Sequence, residues 1–477
     1  MKLFSLVKNF KCRIFGNLNI EISGLYHHDK EVRQGGLFFC IKGTEKNGEL
    51  YVNSAIENGA VAVVTNHEIN GICVPQIIVN DTRHAMSIIA ANFYGNPAKS
   101  LNIVGVTGTN GKTSITYILK SMFDLLKIKS ALIGTNGVLF EDKLIQTGMT
   151  TPDPIELHRL FSIFKQKGIK NVFMEVSAHA LDLKKLDGIV FDAMIFTNLT
   201  EDHLDYFGDM QTYFKAKQKA FLPNQTRLSI LNIDDPFGMS LFRGIKTKVL
   251  SYSTTSESDI KASNIEVENF KQKFKINGMD FSSNLLGKFN VSNILSCVCY
   301  MKNLGYSLEK LAELVKSVQP VPGRFNSYDI NGKLFIIDYA HTPDGLENVL
   351  KLCLELKSKD AKLISVFGCG GNRETQKRKI MGEISSKLAN FSIITTDNPR
   401  FESRETIADD IIQGMKNKNY LVILDRCDAI KYAYNIANPG DIVLIAGKGE
   451  ENYIDELGIK KPYSDKNEVL KLRENQW

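Results

Sequence analysis

The stretch Thr107-Gly108-Thr109-Asn110-Gly111-Lys112-Thr113-Ser114 constrains this chain more than any other. It follows an apolar run, residues 101–106. It precedes Ile115, Ile118, Leu119, Met122 and Leu126 at helical spacing. A strand, a glycine-bearing loop and a helix in that order form the setting of a phosphate-binding loop. The glycines let backbone N–H groups close around phosphate oxygens, and the helix N-terminus adds positive potential. Lys112 is then expected to reach the β- and γ-phosphates, and Thr113 to offer a hydroxyl to Mg²⁺. The motif departs from the usual pattern at Val106, where a glycine is common.

A phosphate loop needs a parallel sheet around it, and the flanking sequence supplies one. Runs 131–133, 172–176, 193–196 and 228–232 read as further strands between helical patterns, which predicts a parallel sheet wrapped by helices. A second alternation covers 334–337, 363–367, 392–395, 421–424 and 442–445, with a helical pattern over 345–356. It spans about 150 residues, a usual domain size. Pro320-Val321-Pro322-Gly323-Arg324-Phe325-Asn326 marks a turn or linker between the two, and Tyr94-Gly95-Asn96-Pro97 an earlier break. The expected α/β architecture has three domains. These are a small mixed α/β N-terminal domain (1–97), a central P-loop parallel-sheet domain (98–323) and a C-terminal Rossmann-like α/β domain (324–477). A chain of 477 residues suits that count at about 100–200 residues per domain.

Composition excludes several alternatives. Hydrophobic residues are 43% and charged residues 23%, which argues against disorder or a fibrous chain. The net charge of +6 is a weak excess with no long basic stripe, so no nucleic-acid partner is expected. No apolar run approaches the ~20 residues of a membrane span. The eight cysteines form no CxxC pair or zinc spacing, which suggests free thiols in a reducing cytoplasm.

Two further loops carry chemistry. Glu175-Val176-Ser177-Ala178-His179 and Thr197-Asn198-Leu199-Thr200-Glu201-Asp202-His203-Leu204-Asp205 each follow a predicted strand. Loops after parallel strands share one rim, where ligands bind. Glu175 and His203 are therefore expected to face the phosphate loop and to supply O and N ligands to a divalent ion.

With these motifs in order, and with the later GRFN and DYAHTPDGLENVL, the chain resembles the Mur ligase family from about Tyr26 to its end. The resemblance implies ATP-dependent, ADP-forming amide formation through an acyl phosphate, with ATP and Mg²⁺ as cofactors. It implies a metal and phosphate site at Thr113, Glu175 and His203, beside a lysine carbamylated by CO₂. The matching register places that lysine at Lys217, with Lys215 and Lys219 close by. For adenine and ribose it points to Asn290, Asn293, Arg324, Asp338 and His341. Arg324, in the linker, would reach phosphates only when the domains close.

Four loops follow four successive strands of the C-terminal sheet: residues 338–344, 368–373, 397–400 and 447–451. They offer arginines for carboxylates and carboxylates for ammonium groups. Within the family, the motif Asp397-Asn398-Pro399-Arg400 marks enzymes that add meso-diaminopimelate. That diamino acid has a second carboxylate, which Arg400 can pair with bidentately. The same likeness assigns Arg373, Asn398, Gly447 and Glu451 to the far amino and carboxyl groups. Thr150, Thr151 and Ser177 match positions that touch the muramoyl-peptide substrate. Tyr26 and Asp29 fall near the uridine, and Gly43-Thr44-Glu45-Lys46-Asn47 near the pyrophosphate. Where the family often has asparagine, glutamine, arginine and histidine, this chain has Met149, Leu183, Lys185 and Glu450. Lys185 keeps the charge without a bidentate geometry.

The resemblance thus implies a monomeric, cytoplasmic ligase joining meso-diaminopimelate to UDP-N-acetylmuramoyl-L-alanyl-D-glutamate. The alternatives are the same ligase using L-lysine or another diamino acid, a folylpolyglutamate synthetase, and a P-loop ATPase switch.

Overall fold

Strand Asn102–Thr107 lies inside an eleven-stranded sheet, between Asn171–Glu175 and Ala193–Phe196, parallel to both. The computed structural model describes residues 1–8, 10–43, 47–268 and 270–473. Ile103, Val104 and Val106 are fully buried because helices cover both faces of the sheet. That is why these strands read as unbroken apolar runs. On one face, Ile115, Ile118, Leu119 and Met122 of helix Lys112–Leu125 pack with Ile294, Leu295 and Val298 of Lys288–Asn303. On the other, Leu157, Leu160, Phe161 and Phe164 of Pro154–Gln166 fill the core. The chain leaves Asn102–Thr107 toward one side of the sheet and later returns to the other. Loops at such a switch point diverge and open a crevice.

The predicted parallel sheet is extended at both edges by antiparallel strands. Gly137–Phe140 and Lys143–Ile145 form one edge, and Lys271–Ile276 and Met279–Ser283 the other. In Lys271–Ile276 the lysines alternate with buried Gln272, Phe274 and Ile276. Half-exposed strands show this two-residue alternation instead of an apolar run.

The C-terminal six-stranded sheet has the strands predicted, plus an antiparallel edge at Asn326–Ile330. The four loop-bearing strands are not successive in the chain, because Tyr420–Val422 intervenes. They are instead neighbours in space, in the order Lys333–Asp338, Ile442–Ala446, Leu363–Phe367 and Phe391–Ile394. Parallel pairing puts their loops on one rim.

The N-terminal sheet has five strands, with Arg13–Phe15 antiparallel to Gln76–Ile78 and the rest parallel. All eight cysteines are free thiols. Among the described residues no helix is long and apolar enough to cross a membrane.

One core residue is mismatched to its surroundings. His158 is buried on helix Pro154–Gln166, and neither ring nitrogen has a hydrogen-bond partner. Burial pushes its pKa from 6.5 down to about 4. Below pH 6.5 the unfolded chain takes a proton that the folded chain refuses, so stability falls as pH drops through this window. Between pH 7.5 and 5 this one group accounts for about 2 kcal/mol. His158→Leu should remove that share of the pH dependence, read by urea unfolding at the two pH values.

Candidate functional site

Gly108 and Gly111 take positive φ angles, 149° and 90°, as the loop turns into helix Lys112–Leu125. L side chains rarely adopt these angles. Thr197 accompanies the turn, its Oγ1 donating to the Asn110 carbonyl at 2.6 Å. Lys112 Nζ donates to the carbonyls of Gly108 at 3.0 Å and Thr109 at 2.7 Å. Burial pushes the Lys112 pKa below the usual lysine range, while Glu175 and Asp202 pull it back.

Thr113 Oγ1 donates to Glu175 Oε1 at 2.9 Å. Glu175 Oε1 also accepts from the Thr135 amide at 2.9 Å, and Oε2 from Thr135 Oγ1 at 3.0 Å. Thr151 Oγ1 donates to the Glu175 carbonyl at 2.9 Å, and Thr150 Oγ1 lies 3.1 Å from Thr135 Oγ1. Ser177 donates its amide to Thr151 Oγ1 at 3.1 Å. One polar network therefore ties the loops after three adjacent strands.

The three lysines near residue 217 separate cleanly. Lys217 is buried, and its Nζ donates to the Gly108 carbonyl at 2.9 Å. It stands 4.6 Å from the Tyr213 ring centroid. Burial, with Lys112 alongside, pushes its pKa well below the usual lysine range, against the pull of Asp202. Lys215 is exposed, and Lys219 pairs with Asp182 at 2.9 Å on the surface. His203, at φ 59°, places Nε2 3.4 Å from Asp202 and its ring 4.8 Å from that of His179. Burial lowers the His203 pKa, so the imidazole is neutral near pH 7.

The linker crosses to this network. Arg324 Nη2 donates to Thr113 Oγ1 at 3.1 Å, and its guanidinium lies 4.4 Å from the Tyr339 ring centroid. Asp338 is buried and accepts from the amides of Phe325 at 2.8 Å and Ala340 at 2.7 Å, which fixes the linker's exit. Asn110 Nδ2 donates to Asp344 at 2.9 Å, a second bond between the two sheets.

Two cavities flank the phosphate loop. One is lined by Asn110, Ser114, Asn293, Arg324, Asp338 and Asp344. Asn290 lies one turn from Asn293 and holds it, Oδ1 accepting from Asn293 Nδ2 at 3.2 Å. The other cavity is a cleft between the central and C-terminal sheets, holding Lys112, Thr113, Glu175, His203 and Lys217. Arg373, Asp397, Asn398, Arg400, Gly447 and Glu451 face it from the second rim. His341 lies in this cleft and not in the cavity of the other adenine and ribose candidates, its Nδ1 2.9 Å from the Tyr339 carbonyl.

On the second rim Arg400 has φ 50° and donates Nη1 to the Gly371 carbonyl at 2.7 Å. Pro399 supplies backbone, its carbonyl packed where a Cβ on Gly371 would fall. Behind them Lys448 is fully buried, 3.0 Å from Asn398 Oδ1, 3.0 Å from Glu451 and 3.4 Å from Asp397.

Tyr26 lines a third cavity with His27, Met149 and Asp153. Lys185 does not line it but pairs with Asp153 at 2.8 Å. Asp29 accepts from Ser54 Oγ at 2.7 Å and does not line it either. Thr44, Glu45 and Lys46 lie outside the described residues. Sequence reasoning passed over Thr135 and Lys377, and named Asp202 and Tyr339 only as members of their loops. Thr135 follows a central strand, so the rim argument could have found it. Lys377 carries no local signal.

Three family models match in order: the Mur ligase family catalytic domain over 21–94, the Mur ligase middle domain over 106–301, and the Mur ligase glutamate ligase domain over 323–449. A UDP-N-acetylmuramoyl-L-alanyl-D-glutamate–2,6-diaminopimelate ligase of Clostridium acetobutylicum is 41% identical, covering 98% of each chain. The chain belongs to the Mur ligase family. A ligase of the same name from Caldanaerobacter subterraneus subsp. tengcongensis is 40% identical over 99% of this chain and 98% of its own. A solved structure, also of a UDP-N-acetylmuramoyl-L-alanyl-D-glutamate–2,6-diaminopimelate ligase, superposes with a TM-score of 0.71 at 30% identity. It covers 100% of this chain and 99% of that one.

The linker's path is sterically tight. Gly323 has φ 70°, and a Cβ there would overlap the Glu450 amide. Gly323→Ala should lift the linker off the second rim and break the bond from Arg324 to Thr113. Binding of a fluorescent ATP analogue should weaken about tenfold, or ~1.4 kcal/mol.

Proposed function

We propose that this Mur ligase uses ATP to join meso-diaminopimelate to UDP-N-acetylmuramoyl-L-alanyl-D-glutamate, releasing ADP and phosphate. Residues 1–97 would hold the UDP end, 98–323 the ATP and 324–477 the diamino acid. The observation that carries this reading is that the phosphate loop and the 397–400 rim, on different sheets, line one cleft. A carboxylate activated at the first would meet an amine held at the second. The relatives' shared name supports the diamino acid.

Lys112 would hold the β- and γ-phosphates, leaving the Gly108 and Thr109 carbonyls as nucleotide enters. Ser114, Asn290 and Asn293 would border the nucleoside. Arg324 would join the phosphates from the linker. The donor set of Thr113 and Glu175, with His203 beside it, fits Mg²⁺, which takes a few hard protein ligands and keeps sites for water and phosphate. Thr113, Glu175, His203 and a carbamylated Lys217 would hold it, and the ion would neutralise phosphoryl charge. Carbamylation requires a neutral amine, and burial, which pushes the Lys217 pKa well below the usual lysine range, favours that form. In ¹³C-bicarbonate a carbamate carbon signal is expected from the intact chain and not from Lys217→Arg.

Thr150, Thr151 and Ser177 would border the peptide end of the sugar nucleotide, and Tyr26 the uridine. Arg373, Asn398, Gly447 and Glu451 would receive the far ammonium and carboxylate. The nucleotide-sugar enzyme would act as a cytoplasmic monomer. Phosphate release should require both the UDP-muramoyl dipeptide and meso-diaminopimelate, with L-lysine and L-ornithine far weaker. Arg400→Ala should raise the KM for meso-diaminopimelate at least about thirtyfold, a loss of ~2 kcal/mol, and leave ATP affinity unchanged. A wild-type KM in that variant would remove Arg400 from the site. Release of phosphate without either substrate would favour the ATPase-switch reading.

A further inference from the structure

One cation in the cleft has no task in the reading above. Lys377 stands in the first turn of helix Gln376–Leu388 and faces the phosphate loop across the cleft. It is 8% exposed. The cleft's other lysines, half-buried Lys112 and buried Lys217, are tied down, both donating to loop carbonyls. Lys377 makes no hydrogen bond or ion pair with any described residue. Its field reaches Asp202, His341 and Glu374, yet none of them is an ion-pair partner. Glu374, one turn away, also keeps a buried oxygen without a partner. An ammonium on the wall of a cleft with no protein acceptor is free to donate to a ligand oxygen.

The anion that belongs between the two rims is the phosphoryl group in flight. We propose that Lys377 is a catalytic residue that binds the equatorial oxygens of that group from the C-terminal domain. The proposal rests on the ligase reading. In the step concerned, a carboxylate oxygen of the sugar nucleotide bonds to the γ-phosphorus. The bond from that phosphorus to the bridging oxygen breaks, and its electron pair leaves with ADP. Lys377 keeps all its protons and only donates hydrogen bonds. Such a transition state needs positioned positive charge more than covalent help. Lys112 comes from the central sheet and Lys377 from the C-terminal one, so the charge is complete only with both domains around the substrate.

The test separates phosphoryl transfer from amide formation. Full-length protein is given ATP, the UDP-muramoyl dipeptide and hydroxylamine, with no diamino acid, and the hydroxamate from the trapped acyl phosphate is measured. Lys377→Met should slow hydroxamate formation about a hundredfold or more. ATP affinity and the KM for the sugar nucleotide should stay within about threefold, and Lys377→Arg should recover part of the rate. Should the Met variant not fold, Lys377→Gln carries the same comparison. Hydroxamate formed at the wild-type rate overturns the proposal. So does a defect confined to the KM for meso-diaminopimelate, which would assign Lys377 to the amino acid. Wild-type protein that forms neither hydroxamate nor substrate-dependent phosphate overturns the ligase reading and the proposal with it.

Discussion

A single backbone oxygen, the Gly108 carbonyl, accepts from two lysines, half-buried Lys112 at 3.0 Å and buried Lys217 at 2.9 Å. Two ammonium groups at one acceptor repel, and burial makes the repulsion stronger than it would be in water. Glu175 and Asp202 offset part of it, and both lysines are pushed below the usual lysine range. The arrangement suits a site that receives polyanions. Incoming phosphates would relieve Lys112, and a carbamate on Lys217 would turn the second cation into an anion.

The second constraint is the linker. Asp338 is buried and spends both carboxylate oxygens on backbone amides, one on each side of the junction between linker strand and rim. That pins Phe325 and so aims the neighbouring Arg324 at Thr113. Gly323 lies against the Glu450 amide, which ties the same linker to the loop carrying Glu451. The second rim is therefore joined to the phosphate loop through three consecutive residues, without a long path of side chains.

Much of this was legible in the sequence. Buried parallel strands must be apolar on both faces, so their runs and the loops after them stood out. The edge strands did not, because a strand with one wet face, such as Lys271–Ile276, resembles a charged segment. Of the residues singled out by a strand end or a loop motif, Lys112, Glu175 and Arg400 line one cleft. His341 was grouped with the nucleoside candidates, and in the fold it lines the cleft between the two sheets. Its loop position fixes the rim it occupies, and the packing of its ring on Tyr339, 4.8 Å between centroids, helps fix which cavity it enters.

The sequence by itself determined the three-domain α/β plan, the phosphate loop and the two rims, because these depend on local periodicity and on loops following parallel strands. Tertiary structure alone decided which of three neighbouring lysines is buried against Gly108. It also made the four C-terminal loop strands adjacent across a chain order that separates them, and it left Lys377 facing the cleft without a partner. Those outcomes depend on how helices pack on separate sheets, and burial, which sets charge state and reactivity, has no counterpart in spacing along the chain.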